Sequence, residues 1–152
     1  MFDVNAFVNQ TYNQATSSDY ALIPEANDVR MMTGSGPLEK WFRTFTANDV
    51  QYVTLEVPMI ILDEAIKTEM ARDTVMSRYK MFLDFDETGN LDFGKGRNVK
   101  LGQLREALGQ NDPGAPWSPA MLADAGPLLG KIVHTSGKDG TQYAEVGRVT
   151  AL

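Results

Sequence analysis

The run that most limits the fold is Val50 to Leu62, which reads Val-Gln-Tyr-Val-Thr-Leu-Glu-Val-Pro-Met-Ile-Ile-Leu. β-branched and aromatic side chains lose rotamer freedom in a helix and pack well on a pleated surface, so this run favours a strand. Glu56 and Pro58 interrupt it, and a membrane span needs ~20 mostly apolar residues. Pro58 has no N–H for a ladder, which predicts an edge or a bulge at that point.

Partners for such a strand are present on both sides. Asp28–Thr33 and Trp41–Thr46 precede it, the second joined to it by a turn at Ala47-Asn48-Asp49. Thr74–Asp84 follows, with Val75, Tyr79, Met81 and Leu83 favouring one face. Leu128–His134 and Gln142–Val149 form a last hairpin across Ser136–Gly140. Helices are expected at residues 3–12, capped by Asp3, and at 64–71, capped by Asp63. A third is expected at Val99–Leu108, with Leu101, Leu104 and Leu108 on one face, and a short one from Ser118 to Ala123.

Polar residues 14–19 separate the opening helix from the rest. Residues 1–19 therefore read as a helical arm and linker, and 20–152 as one domain. The expected class is α+β, mainly antiparallel β: an OB-like small barrel with inserted helices and an N-terminal helical arm. An α+β sandwich is the alternative architecture.

The chemistry available is narrow. The 152 residues include no cysteine, which excludes disulfides and cysteine-based zinc sites, and the single histidine is His134. No nucleophile–base pair or cofactor loop is visible, so a binding protein without metal or cofactor is expected rather than an enzyme. The opening residues have neither a basic start nor an apolar h-region, so a cytoplasmic protein is expected, or a viral one made in a host cytoplasm.

The net charge of −6 is unevenly spread. Residues 1–29 carry four acids (Asp3, Asp19, Glu25 and Asp28) and no base. Residues 81–94 again carry four acids and no base. Residues 95–105 carry Lys95, Arg97, Lys100 and Arg105 and no acid. This basic segment leads through Gly94 and Gly96 into a helix start, where free N–H groups favour an anion. Its glycine spacing fits neither a Walker A loop nor a dinucleotide fingerprint. The readings are a phosphate-binding turn or a solvated basic helix start.

Asp84 to Asp92 places oxygen side chains at positions 1, 3, 5 and 9 of a calcium loop, with Gly89 at position 6. Lys95 stands at position 12, where a bidentate glutamate is needed. An acidic β-turn is therefore preferred over a metal site formed by Asp84, Asp86 and Asp92.

Trp41, Phe42, Phe45 and Tyr52 lie on neighbouring strands with Lys40 and Arg43 among them. Alternation groups Trp41, Arg43 and Phe45 on one face, and an arginine marks that face as wet. Exposed rings stack on bases while cations follow the phosphates, so Trp41 and Phe45 are the expected stacking residues and Phe42 is expected in the core. Trp117 is expected to seal a helix onto the sheet, and His134 to lie at the surface.

The stretch Leu91 to Gly114 resembles a family of small early-gene proteins of tailed bacteriophages. The resemblance rests on Leu101-Gly-Gln-Leu-Arg-Glu-Ala107, on Gly109-Gln-Asn-Asp-Pro-Gly114, on the closing Tyr143-Ala-Glu-Val-Gly-Arg-Val149 and on the opening Phe2-Asp-Val-Asn-Ala-Phe7. Most members have no assigned function and some are described as single-stranded DNA-binding proteins. It implies a place among phage replication and recombination genes.

The combined expectation is a phage accessory protein that binds single-stranded DNA during replication or recombination. Trp41 and Phe45 would stack on bases, and Arg43, Lys95, Arg97, Lys100 and Arg105 would line the phosphate track. Phage replication or recombination proteins are the partners this implies. The alternative is an acidic interaction module that binds a host or phage protein. The apolar arm also leaves self-association open.

Overall fold

The computed structural model describes residues 1–18 and 21–152. Asp19 and Tyr20, at the expected boundary between arm and domain, lie outside the described residues. In chain order the elements are α1 (Val4–Val8), β1 (Ala26–Thr33), a 3-10 turn (Leu38–Trp41), β2 (Phe42–Ala47), β3 (Val50–Ile61), α2 (Glu64–Met70) and β4 (Met76–Leu83). α3 (Val99–Ala107), a 3-10 turn (Pro119–Leu122), β5 (Leu128–Ser136) and β6 (Gln142–Ala151) complete the chain. The protein is α+β, with a mainly antiparallel six-stranded sheet and few short helices.

β3 organises the sheet. Most of its length pairs with β4 on one edge, from Val53 opposite Leu83 to Ile60 opposite Met76. On the other edge it has two partners in succession. Val50–Leu55 pair with β2, and Met59–Ile61 pair with β1. Pro58 falls in the gap between these partners, where its missing N–H costs no ladder bond. The proline thus marks the change of partner inside a central strand rather than an edge. Its carbonyl accepts from Gly34 N at 2.8 Å, and a Cβ on Gly34 would come within 3.1 Å of the Pro58 ring.

β1 continues the sheet to β5, and β5 to β6. The successive antiparallel steps leave β4 and β6 running in the same direction. The sheet is not a closed barrel, which corrects the expectation: no ladder among the described residues joins β4 to β6. Side chains bridge the two strands instead. Ser77 Oγ on β4 donates to the Ala144 carbonyl on β6 at 3.0 Å. Lys100 on α3 donates to the Lys80 carbonyl at 2.5 Å and lies over the Tyr79 ring, 4.6 Å from its centroid. Desolvation there lowers the Lys100 pKa, and the nearby charge of Glu145 on β6 opposes the shift.

The core fills one side of the sheet. Alternate residues of β3 (Leu55, Val57, Met59, Ile61) meet Met31, Tyr79, Met81, Leu128, Ile132 and Val146, and α3 adds Leu101 and Leu104. Alternation sends one side of each strand inward, and the other side makes the outer face. Asp3 caps α1 through Ala6 N at 3.2 Å, yet α1 buries none of its residues. The arm's rings pack on one another instead, Phe2 on Phe7 at 5.5 Å and Phe7 on Tyr12 at 6.2 Å. Among the described residues no helix is long and apolar enough to cross a membrane.

Candidate nucleic-acid interface

The outer face of β2, β3 and β4 carries an arrangement that follows from register. Asn48 and Asp49 take left-handed backbone angles, φ 51° and 63°, and close a two-residue hairpin with Ala47 opposite Val50. That turn sets Phe45 opposite Tyr52, with ring centroids 5.3 Å apart and planes 19° from parallel. Thr54 stands between Arg43 on β2 and Phe82 on β4. Phe82 meets Phe45 at 6.2 Å and Tyr52 at 6.3 Å, both edge-on. The three rings remain open to solvent, at 45% for Phe45, 38% for Tyr52 and 56% for Phe82.

A charged group adjoins the rings. Glu56 Oε2 lies 3.2 Å from Arg43 Nε and 3.4 Å from Arg78 Nη1, so one carboxylate holds guanidiniums from both neighbouring strands. Lys80 is the cross-strand partner of Glu56 on the same outer face. Three cations against one carboxylate leave this face positive in a chain of net charge −6. Exposed rings beside such cations can stack flat groups and hold phosphates.

Of the residues expected at the site, Arg43 and Phe45 are brought together here. Trp41 is not: it is 5% exposed and belongs to the core. The strand begins one residue later than expected. Trp41 ends a 3-10 turn, which rotates its indole inward, so the alternation that grouped it with Arg43 and Phe45 does not extend to it. Phe42 is half-buried against the core, as expected.

The basic segment is largely engaged in holding structure. Arg97 Nε lies 3.9 Å from Asp92. Lys100 bridges toward β4, as described above. Arg105 covers the Trp117 ring at 4.1 Å and donates to the Gln110 carbonyl at 3.1 Å. Trp117 Nε1 in turn donates to Gln110 Oε1 at 3.0 Å, fastening the loop after α3. Lys95 is exposed. Asn98 takes the N-cap position of α3 but makes no side-chain cap bond among the described residues. Its amide instead accepts from Asp84 N at 2.8 Å and donates to the Asp84 and Asp92 carbonyls, each at 2.9 Å, closing the acidic loop.

Within that loop Asp86 Oδ1 accepts from Thr88 Oγ1, Thr88 N and Asn90 N at 2.6, 2.9 and 3.0 Å. The Thr88 hydroxyl leads the bonds that hold the Asp86 carboxyl below its usual range. Among the described residues no group of three or more His, Cys, Asp or Glu side chains is arranged to hold a metal ion. His134 is half-buried, with Nε2 2.8 Å from the Ile23 carbonyl and Nδ1 3.8 Å from Glu25.

Tyr52, Glu56, Arg78, Lys80 and Phe82 were not among the residues expected at the site. The signal for three of them was present. If Tyr79, Met81 and Leu83 face inward, then Arg78, Lys80 and Phe82 face outward. No protein-family model, no curated protein and no solved structure matches the chain.

Proposed function

We propose that this protein binds single-stranded DNA on the outer face of β2, β3 and β4. Phe45, Tyr52 and Phe82 stack on bases, and Arg43, Arg78 and Lys80 meet the phosphates. One observation carries this reading: three solvent-open rings in mutual contact, beside the three cations on the same sheet face.

The strand order supports an OB-like half-barrel as the frame. With the β2 hairpin arm set aside, the strands run β1-β3-β4 on one side and β1-β5-β6 on the other, and α3 lies between β4 and β5 in the chain. OB folds bind oligonucleotides on their second and third strands, which correspond to β3 and β4. The resemblance to phage early-gene proteins gives the process: replication or recombination in a host cytoplasm.

The test is fluorescence anisotropy of labelled oligo-dT across a salt series. Three neutralised phosphates give a log–log salt slope of about −2, at about 0.7 per contact for single strands. No binding at low salt overturns the proposal. Trp41 is buried, so a labelled oligonucleotide reports on this face and tryptophan quenching does not.

A second reading is an interaction module for a host or phage protein, and the arm favours it. Phe2, Val4, Phe7, Val8 and Tyr12 are each more than half exposed. A pull-down that recovers a stoichiometric partner only with residues 1–18 intact supports this role.

A further inference from the structure

Lys131 on β5 and Arg148 on β6 are directly opposite each other in register. Their side chains leave the outer face of β1, β5 and β6, away from the ring cluster's strands. Like charges at directly opposed sheet positions destabilise the pair. Elsewhere on the sheet Arg43 and Arg78 share Glu56. Among the described residues neither Lys131 nor Arg148 has an ion pair or a side-chain hydrogen bond.

Two further irregularities meet at the same place. The β1–β5 ladder slips between Ala26 and Val29, and the β5–β6 ladder slips between Lys131 and Ile132. Asp28, within the first slip, has φ 52°, a left-handed conformation uncommon for a residue with a side chain. Bulges re-aim side chains and strained backbone clusters at binding sites. Here they border a hollow of about 400 Å³ lined by Asn27, Asp28, Lys131, Arg148 and Thr150.

We infer that this hollow is a second, separate binding site that takes a phosphate group. The Lys131 ammonium and the Arg148 guanidinium supply charge-assisted donors from two strands. The Asn27 amide and the Thr150 hydroxyl supply neutral ones. The Asp28 carboxylate cannot face a bare phosphate oxygen favourably, but it accepts from a protonated phosphate oxygen or a neighbouring sugar hydroxyl. Arg30 stands on the same outer face, one row away opposite Leu129. An anion between Lys131 and Arg148 offsets the repulsion of two like charges at opposed positions.

The experiment uses the full chain, Lys131→Ala and Arg148→Ala, and inorganic phosphate against chloride at matched ionic strength. Phosphate is expected to move the amide resonances of Gly130 and Thr150 and to raise the melting temperature of the parent protein, with either variant losing both responses. Without phosphate at low salt the variants are expected to melt at or above the parent temperature, because a like-charge contact is gone. A purely structural role for the pair predicts lower melting instead.

A labelled dT12 then separates two sources of the phosphate. A salt slope reduced by about 0.7 per variant assigns a nucleic-acid backbone. Unchanged dT12 binding with lost phosphate response assigns a free phosphorylated small molecule. Phosphate shifts no larger than those from chloride, or variants that melt below the parent, overturn the inference. The phosphate arm does not depend on the ring cluster, so failure of DNA binding leaves it testable.

Discussion

Replacing Phe82 with alanine separates a ring that binds from a ring that packs. Phe82 is 56% exposed, and its ring contacts in the outer cluster are edge-on to Phe45 and Tyr52. Aromatic pairs contribute ~0.5–1.5 kcal/mol beyond burial, so its loss costs about 1 kcal/mol of folding stability. Base–aromatic stacking is worth ~1–3 kcal/mol per base, which corresponds to a roughly 5- to 150-fold weaker Kd for oligo-dT. Trp41→Ala is the matched contrast. At 5% exposure the indole fills core volume, and deletion of a buried tryptophan costs ~3–5 kcal/mol of stability. Anisotropy with labelled dT12 reads the affinity and urea unfolding reads the stability. A folded Phe82→Ala variant that binds dT12 like the parent, or a Trp41→Ala variant with an unchanged urea midpoint, overturns these two roles.

Three other outcomes are expected. Glu56→Gln removes the carboxylate that occupies Arg43 and Arg78, and oligo-dT affinity at low salt should rise roughly fivefold, about 1 kcal/mol, within the range of exposed ion pairs; weaker binding would mean Glu56 serves to position the guanidiniums. Burial raises the Tyr79 pKa from 10.0 to about 12, so the folded state keeps a proton that the unfolded state releases, and stability falls between pH 10 and 12 by about 3 kcal/mol. Its hydroxyl has no hydrogen-bond partner among the described residues, so Tyr79→Phe should unfold like the parent at pH 7 and lose less stability than the parent above pH 10 in alkaline denaturation. Asn98→Ala deletes a side chain that makes three hydrogen bonds of 2.8–2.9 Å across the acidic loop and holds φ 50°, and should lower stability by ~2–4 kcal/mol, measured by urea unfolding and by faster amide exchange at Asp84.

Much of the frame was legible because it depends on local chemistry. The β-branched run, the Asn48-Asp49 turn, the Asp63 cap on Ile66 N at 3.2 Å and the leucines of α3 each act within a few residues. The order of strands and helices follows from those signals alone. Where a strand starts is a finer matter. One residue of 3-10 turn took Trp41 from the wet face into the core, since a period-2 pattern reverses sides with each shift. The basic run at 95–105 carried an equally local signal, but whether a cation is free depends on its neighbours in space. Lys100, Arg97 and Arg105 are occupied by a carbonyl, a carboxylate and an indole respectively.

Local signals in the chain account for the strand-rich class, the turns, the Asp3-capped helix and the lack of cysteine chemistry. Tertiary structure decided which residues meet: Pro58 at the change of partner along β3, Phe45 with Tyr52 and Phe82, Glu56 between two arginines, and Lys131 against Arg148. The physical reason is that propensity and periodicity act over a few residues, whereas ring contacts and charge pairs depend on strand register across positions up to about 40 residues apart.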